Sequence, residues 1–440
     1  MNYAEAIAFL ESRIKFGMRP GTERIAALMD ALGHPQRSYP VLHVAGTNAK
    51  FSVVSIIAKL LTQLGLTVGE YTSPHLESVR ERIVLARAPI DEETFSTTVD
   101  HLAPYLELVE KEIDDRLTWF ELLTAVAFES FFDRAVHAAV LEVGLGGEYD
   151  ATNVADAQVA VVTNVSLDHV RQFGRDLHKA AWEKGGIAKS GSFVVTGITD
   201  DDTFAIVEGR ARERGASGIA RIGREFEVLD RKPAVGGQTV SVRGSNGTYD
   251  EIFLSLFGSH QATNAAMALV ACEAFAGGAL NPDDVAAALG SVKVPGRIEV
   301  VARRPLIVCD GAHNIAASAA VRDAVRESFS YERLLLVAGM VDTKLVEGVL
   351  AGWAPMVDRV FVAAPATERA ADPARLAGAL ESAGMPRTGI TVAQDVGRAL
   401  ELALDEASED DMILVFGSFY TVGEARGWLR SRGILTEAGK

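Results

Sequence analysis

The sequence predicts an α/β protein of two doubly wound domains, a larger N-terminal one on a mostly parallel sheet and a smaller C-terminal one. Short β-branched, apolar runs alternate with longer helical patterns almost throughout, as in parallel sheets covered by helices on both faces. The alternation pauses in a polar, Gly-rich section and restarts beyond Pro295-Gly296. The chain has 440 residues, which at about 150 per domain leaves room for two or three domains.

In chain order, the first strands are Val41–Ala45, Thr67–Tyr71, Ala138–Val143, Val159–Thr163 and Phe193–Thr196. Each is short and mostly apolar, the pattern of a strand buried on both faces. Lys50–Leu64, Phe120–Phe132 and Leu177–Ile187 carry helical periodicity between them. From about Arg221 to Tyr249, the alternating runs Glu225–Val228 and Thr239–Val242 suggest a small antiparallel insert. Helices over Ala262–Phe275 and Pro282–Leu289 follow. Leu306–Cys309, Leu334–Val337, Val360–Ala363, Ile390–Ala393 and Ile413–Phe416 are the strands of the second, Rossmann-like half. Proline and glycine both interrupt regular structure, so Pro295-Gly296 is the expected hinge between domains 1–295 and 296–440.

Composition narrows the function. Hydrophobic residues are 48% and charged residues 23% of the chain, which excludes disordered and low-complexity classes. With 43 basic and 59 acidic side chains the net charge is −16, a poor match for nucleic acid or an anionic membrane. Cys272 and Cys309 are the only cysteines, too few for a disulfide framework or a thiolate zinc cluster. The N-terminus lacks a basic leader followed by an apolar run, and Ala265–Leu280, interrupted by Glu273, is too short to span a bilayer. The expectation is a cytoplasmic, monomeric protein acting on small molecules, with no nucleic-acid or membrane partner.

The sharpest chemical signal is the run Val41-Leu42-His43-Val44-Ala45-Gly46-Thr47-Asn48-Ala49-Lys50-Phe51-Ser52. It reads as a buried strand, a small-residue turn, then Lys and Ser opening a helix. Amides at a helix N-terminus favour phosphate, a lysine there can reach the β- and γ-phosphates, and a nearby hydroxyl can ligate magnesium. An ordinary strand-to-helix loop with an exposed lysine fits this segment nearly as well. Glu142 in Glu142-Val143-Gly144-Leu145-Gly146-Gly147 ends another buried strand. Ligands of open α/β sheets bind at such carboxyl edges, and a carboxylate there suits magnesium. Thr163-Asn164-Val165-Ser166-Leu167-Asp168-His169 closes the next strand in the same way, and Glu183-Lys184-Gly185-Gly186-Ile187 alone reads as a solvated helix turn.

Together these runs resemble the folylpolyglutamate synthase and dihydrofolate synthase family of the Mur ligase superfamily. The resemblance extends from Phe16-Gly17-Met18-Arg19-Pro20-Gly21 to Gly417-Ser418-Phe419-Tyr420. Its landmarks are Tyr71-Thr72-Ser73-Pro74-His75-Leu76, Glu81-Arg82-Ile83, Thr118-Trp119-Phe120-Glu121, Leu141–Gly147 and Asp150-Ala151-Thr152-Asn153. Further on come Leu167-Asp168-His169, Glu183-Lys184, Gly258-Ser259-His260-Gln261-Ala262-Thr263-Asn264, Pro295-Gly296-Arg297 and Asp310-Gly311-Ala312-His313-Asn314. The resemblance implies a Mur ligase-like ATP-binding N-terminal domain and an ATP-dependent ligase that adds L-glutamate to a folate or dihydropteroate carboxylate through an acyl phosphate.

It also implies residue roles. Gly46, Thr47, Asn48, Lys50 and Ser52 form the nucleotide loop, with Lys50 on the phosphates. Ser52, Ser73 and Glu142 ligate a first magnesium ion and His169 a second. Lys184 matches the lysine that the family carbamylates into an anionic oxygen ligand. Asn264 and Arg297 hold adenine and phosphate, while Asp310 and His313 reach ATP from the second domain. The chain departs from the family pattern at Ala49, where the loop has glycine, and at Phe51, where it has a small residue. Glu148 stands for an arginine, Arg80 for an asparagine and Ile315 for a proline. Because Lys50, Ser52, Glu142, His169 and Lys184 are all kept, an active ligase with an adjusted loop is the leading expectation. A ligase of the same mechanism for another carboxylate, and an inactive paralogue that only binds a pterin or a partner protein, remain open at this point.

Overall fold

The computed structural model describes residues 1–17, 19–166, 176–343 and 345–435. Its first strands are β1 (Val41–Ala45), β2 (Val68–Tyr71), β3 (Ile83–Leu85), β4 (Ala88–Pro89), β5 (Ala138–Glu142), β6 (Ala157–Val162), β7 (Phe193–Thr196) and β8 (Gly218–Arg221). They form one sheet in the order β4-β3-β2-β5-β1-β6-β7-β8. In the sheet order from β2 to β8 every neighbouring pair is parallel, and β3 pairs antiparallel with both β2 and β4. Central β1, β5 and β6 carry the most buried apolar runs, since both faces are covered. The chain leaves β1 toward β2 on one side and β5 toward β6 on the other, which opens a crevice beyond their carboxyl ends.

The helix Lys50–Gln63 follows β1 and buries Val53, Val54, Ile56, Ile57, Leu60 and Leu61. Its apolar stripe packs with the helix Ser259–Ala276 into one core cluster, so the rigid helix that starts at the candidate phosphate loop is anchored along its whole length. The other face of the sheet is closed by Trp119–Asp133, in which Leu122, Phe128 and Phe131 are fully buried.

The insert is a three-stranded antiparallel sheet, β11-β10-β9, of β9 (Glu227–Ala234), β10 (Gly237–Arg243) and β11 (Thr248–Leu254). The sequence reading stopped at Tyr249 and so missed the third strand. Glu251 sits at a φ of 50° and the register shifts between Val240 and Val242. This bulge breaks the period-two alternation by which a half-buried strand is recognised.

The C-terminal sheet has the order β12-β13-β17-β14-β15-β16. Its strands are β12 (Glu299–Arg303), β13 (Leu306–Asp310), β14 (Leu334–Ala338), β15 (Arg359–Val362), β16 (Ile390–Val392) and β17 (Met412–Phe416). All neighbouring pairs are parallel except β12–β13. Among the described residues, no helix is long and apolar enough to cross a membrane.

Candidate active site

The loop after β1 is shaped from both sides by the loop after β6. A Cβ on Gly46, whose φ is 154°, would lie 1.8 Å from the Thr163 hydroxyl oxygen, so only glycine allows this approach. Asn164 accepts from the Asn48 N–H at 3.0 Å through its side chain, and its carbonyl accepts from the Thr47 N–H at 3.0 Å. Thr47 Oγ1 accepts from the Ser166 N–H at 3.0 Å, and the Thr163 hydroxyl donates to the Asn48 carbonyl at 2.6 Å. The loop is thus held before any ligand arrives. Lys50 Nζ curls over it and donates to the carbonyl of Gly46 at 3.1 Å. Gly46, Thr47, Lys50, Gly144, Gly146, Ser166, Ala180 and Lys184 line one cleft. Lys184 itself is buried, near the end of the helix Leu177–Gly185.

Glu142, the last residue of β5, is 3% exposed and accepts from the Ser73 N–H at 2.9 Å. Burial pushes its carboxyl above the ordinary range, opposed by the charge of Lys50, then by the Ser73 N–H, Arg297 and Arg82. One carboxylate therefore faces three cations from three separate segments. Arg82 lies 4.7 Å over the Trp119 ring and donates from Nε to His75 Nδ1 at 2.9 Å. Burial, with Arg82 beside it, pushes His75 down to about 4, so the imidazole stays neutral and accepts.

Ser52 is buried and accepts from Gln261 Nε2 at 3.3 Å, while Gln261 Oε1 accepts from Asn264 at 2.9 Å. The start of the phosphate-loop helix is thereby tied to the helix Ser259–Ala276. From the C-terminal half, Asn314 Nδ2 donates to Asn48 Oδ1 at 2.7 Å. Arg297 packs 4.3 Å over the Phe419 ring, and burial lowers its pKa against the pull of Asp310 and Glu142. Asp310 accepts from the N–H groups of Ile298 at 2.9 Å and Ala312 at 2.7 Å, so its carboxylate braces the turn that carries Arg297. His313 Nδ1 lies 3.1 Å from the Gly311 carbonyl oxygen.

The structure therefore gathers Gly46, Thr47, Lys50 and Lys184 on one cleft, couples Ser73 to Glu142, and links Ser52 to Asn264. His169 lies outside the described residues. Sequence reasoning passed over Asn164, Ser166, Gln261, Asn314 and Arg82 as site residues. The first two stand at a strand's carboxyl end, as Glu142 does, and that position was the available signal. Among the described residues no three His, Cys, Asp or Glu side chains converge on one point. What the sheet edge offers instead is the buried Glu142 carboxylate, met by the Ser73 N–H, an oxygen donor of the kind that holds magnesium together with substrate phosphates and water.

The two substitutions in the loop resolve differently. Ala49 has a φ of 71°, the left-handed region that costs an L-residue roughly 1–2 kcal/mol. Phe51 is half-buried against the core cluster of the two long helices and does not line the cleft. Ala49→Gly is expected to stabilise the protein by up to about 1 kcal/mol, the relief being partly offset by a floppier unfolded chain. Phe51→Ala should cost about 2 kcal/mol of packing and leave the KM for ATP within threefold. Urea unfolding and steady-state kinetics on the two variants check both statements; a large fall in KM for Phe51→Ala would place the ring among the phosphates after all.

Comparison with known proteins agrees with this geometry. Residues 44–272 match the Mur ligase middle domain, and residues 296–419 match the Mur ligase glutamate ligase domain. The dihydrofolate synthase/folylpolyglutamate synthase of Mycobacterium tuberculosis is 38% identical over 435 residues, covering 92% of this chain and 89% of that protein. The enzyme of the same name from Bacillus subtilis is 30% identical over 437 residues, covering 97% of this chain and 99% of that protein. Among solved structures, M. tuberculosis folylpolyglutamate synthase complexed with ADP and AMPPCP superposes with a TM-score of 0.90 at 36% identity, covering 97% of this chain and 98% of that one. E. coli FolC in complex with DHPP and ADP gives a TM-score of 0.88 at 28% identity, covering 98% and 99%. The chain belongs to the folylpolyglutamate synthase/dihydrofolate synthase family of Mur ligases.

Proposed function

We propose that this protein joins L-glutamate to the carboxylate of dihydropteroate or a reduced folate, using ATP. The observation that carries the reading is the convergence of the Gly46–Lys50 loop, the Ser73–Glu142 pair and Lys184 at the carboxyl edge of one sheet. A carboxylate is a poor acyl donor, so its oxygen first attacks the γ-phosphorus of ATP, giving an acyl phosphate and ADP. The glutamate amine then attacks the acyl carbon, the C–O bond to phosphate breaks, and inorganic phosphate leaves with the amide formed. Lys50 lies where it can exchange its loop carbonyls for phosphate oxygens and offset charge on the transferred phosphoryl group. Ser52, Ser73 and Glu142 would hold one magnesium ion, and His169 with carbamylated Lys184 a second, supplying Lewis-acid neutralisation of the phosphates when bound. Asn264 and Arg297 are assigned to the nucleotide's adenine and phosphate, with Asp310 and His313 approaching from the second half. Closure about Pro295-Gly296, at the proposed boundary between 1–295 and 296–440, would keep water from the acyl phosphate.

Side-by-side turnover on dihydropteroate and tetrahydrofolate, followed as phosphate release, tests the reading. Release that requires both glutamate and at least one pterin acceptor is expected. ATP binding without release on either acceptor would leave a ligase for another carboxylate or an inactive relative.

A further inference from the structure

Glu148 is the charge-reversed position of the Gly-rich run, and the structure shows what accompanies the reversal. Its carboxylate is 13% exposed and accepts from Arg210 at 2.7 Å through one oxygen and from Arg214 through the other. Arg210, 7% exposed, also donates to Glu213 at 2.6 Å and lies 4.2 Å over the ring of Trp182. Trp182 and Lys184 share the helix Leu177–Gly185, whereas Arg210 and Arg214 belong to the helix Asp201–Glu213 and its cap.

The backbone around Glu148 is as close as peptide units can come. A Cβ on Gly147 would sit 2.4 Å from the Glu183 carbonyl oxygen and 3.1 Å from the Lys184 Cα. One on Gly186 would sit 2.7 Å from the Glu148 Cβ, and one on Gly185 would sit 3.0 Å from the Arg210 Cβ. The Glu148 N–H donates to the Glu183 carbonyl at 2.9 Å. Asn153 Nδ2 bridges the carbonyls of Glu148 at 2.9 Å and Gly186 at 3.3 Å. Three glycines thus let the Gly-rich turn, the end of the Lys184 helix and the neighbouring helix meet at one point, and the Glu148 ion cluster closes over it.

We propose that Glu148 is a positioning residue for Lys184, clamping the Gly144–Gly147 turn and the Lys184 helix to the helix Asp201–Glu213 through Arg210 and Arg214. The inference rests on the reading of Lys184 as a site residue. An exposed ion pair would do little of this, but removing the carboxylate here takes a carboxylate partner from two guanidinium groups and leaves buried Arg210 with the mostly exposed Glu213, which is unfavourable. The guanidinium groups relax by moving apart or toward water, and the helix end moves with Arg210 and Trp182. A displacement of about 1 Å in a group that orients reacting phosphates is enough to cost up to about a hundredfold in rate.

The test uses Glu148→Gln, Arg214→Ala and the conservative Glu148→Asp in the full chain. Glu148→Gln should lower kcat at least tenfold with the KM for ATP within threefold, since the Gly46–Lys50 loop makes none of these contacts. Arg214→Ala, at a partly exposed position, should show the same split at about threefold and serves if Glu148→Gln does not fold. Glu148→Asp keeps the carboxylate between the two guanidinium groups and should retain at least half of the kcat that Glu148→Gln loses, on a logarithmic scale. Hydrogen exchange read on peptides spanning 144–148 and 181–187 should quicken in Glu148→Gln and Arg214→Ala and stay near wild type in Glu148→Asp. Wild-type kcat in Glu148→Gln, or a fall in kcat with unchanged exchange in both segments, overturns the proposal. A wild-type protein without ligase turnover sinks the functional reading instead, and the exchange measurements then decide the clamp by themselves.

Discussion

Glu142→Ala is expected to lower ATP turnover at least a thousandfold while leaving the protein folded. The residue ends a central strand with its carboxylate buried and opposed by the charges of Lys50, Arg297 and Arg82. In the proposed reaction this carboxylate is the negative charge that would hold the first metal ion against the phosphates. Its loss removes transition-state stabilisation of about 4 kcal/mol, which is about a thousandfold in rate. The cost to folding is smaller, since the half-buried Ser73 N–H loses its acceptor, which costs less than the roughly 1–3 kcal/mol of a fully buried donor. Burial already disfavours the ionised carboxylate, so removing it relieves part of that cost. Phosphate release and far-UV circular dichroism on the same preparation separate the two effects. Near-normal turnover in a folded variant would exclude Glu142 from the metal site.

The elements that build this site were the easiest to read. Val41–Ala45 and Phe193–Thr196 are strands over the residues that their continuous apolar runs indicate, and the Lys50 helix differs from expectation by one residue at its end. Those signals are local, because burial on both faces leaves the runs almost wholly apolar, His43 and Thr196 being the polar exceptions. The strands that were missed are short or half-exposed. Ile83–Leu85 and Ala88–Pro89 have three and two residues, and Glu299–Arg303 has no fully buried position. Edge strands of this kind are defined by their partner rather than by their own pattern.

The same division runs through the site. Lys50 and Glu142 stand out from the residues beside them, whereas Lys184 alone reads as a solvated helix turn and is singled out only by the family resemblance. The contact of Asn314 with Asn48 spans 266 positions in the chain, and those of Glu148 with Arg210 and Arg214 span 62 and 66. Pairings at such separations leave no periodic trace in one sequence. Phe51 shows a further limit: its neighbours in sequence suggest a phosphate, while it packs against a core cluster that includes residues of a helix some two hundred positions away.

Lys184→Ala is expected to be inactive and to regain part of its turnover with a small carboxylate such as acetate. Lys184 is buried beside the cleft that Lys50 and Gly46 line, on a helix end fixed by the Gly147 contact. A carbamate forms when the neutral amine attacks carbon dioxide, the new N–C bond taking the place of an N–H whose proton leaves. The product is an anionic oxygen donor, which suits magnesium in a way that an ammonium group cannot. Alanine removes both the amine and the volume of the side chain, so acetate has room to supply oxygens at the same place. Rescue should saturate with acetate, and Lys184→Arg, which keeps positive charge without a nucleophilic amine, should be neither active nor rescued. A lysine that acted only as a cation on the phosphates would give the opposite pattern, with Lys184→Arg retaining turnover and acetate without effect on Lys184→Ala. Full activity of unrescued Lys184→Ala would remove the carbamate from the mechanism altogether.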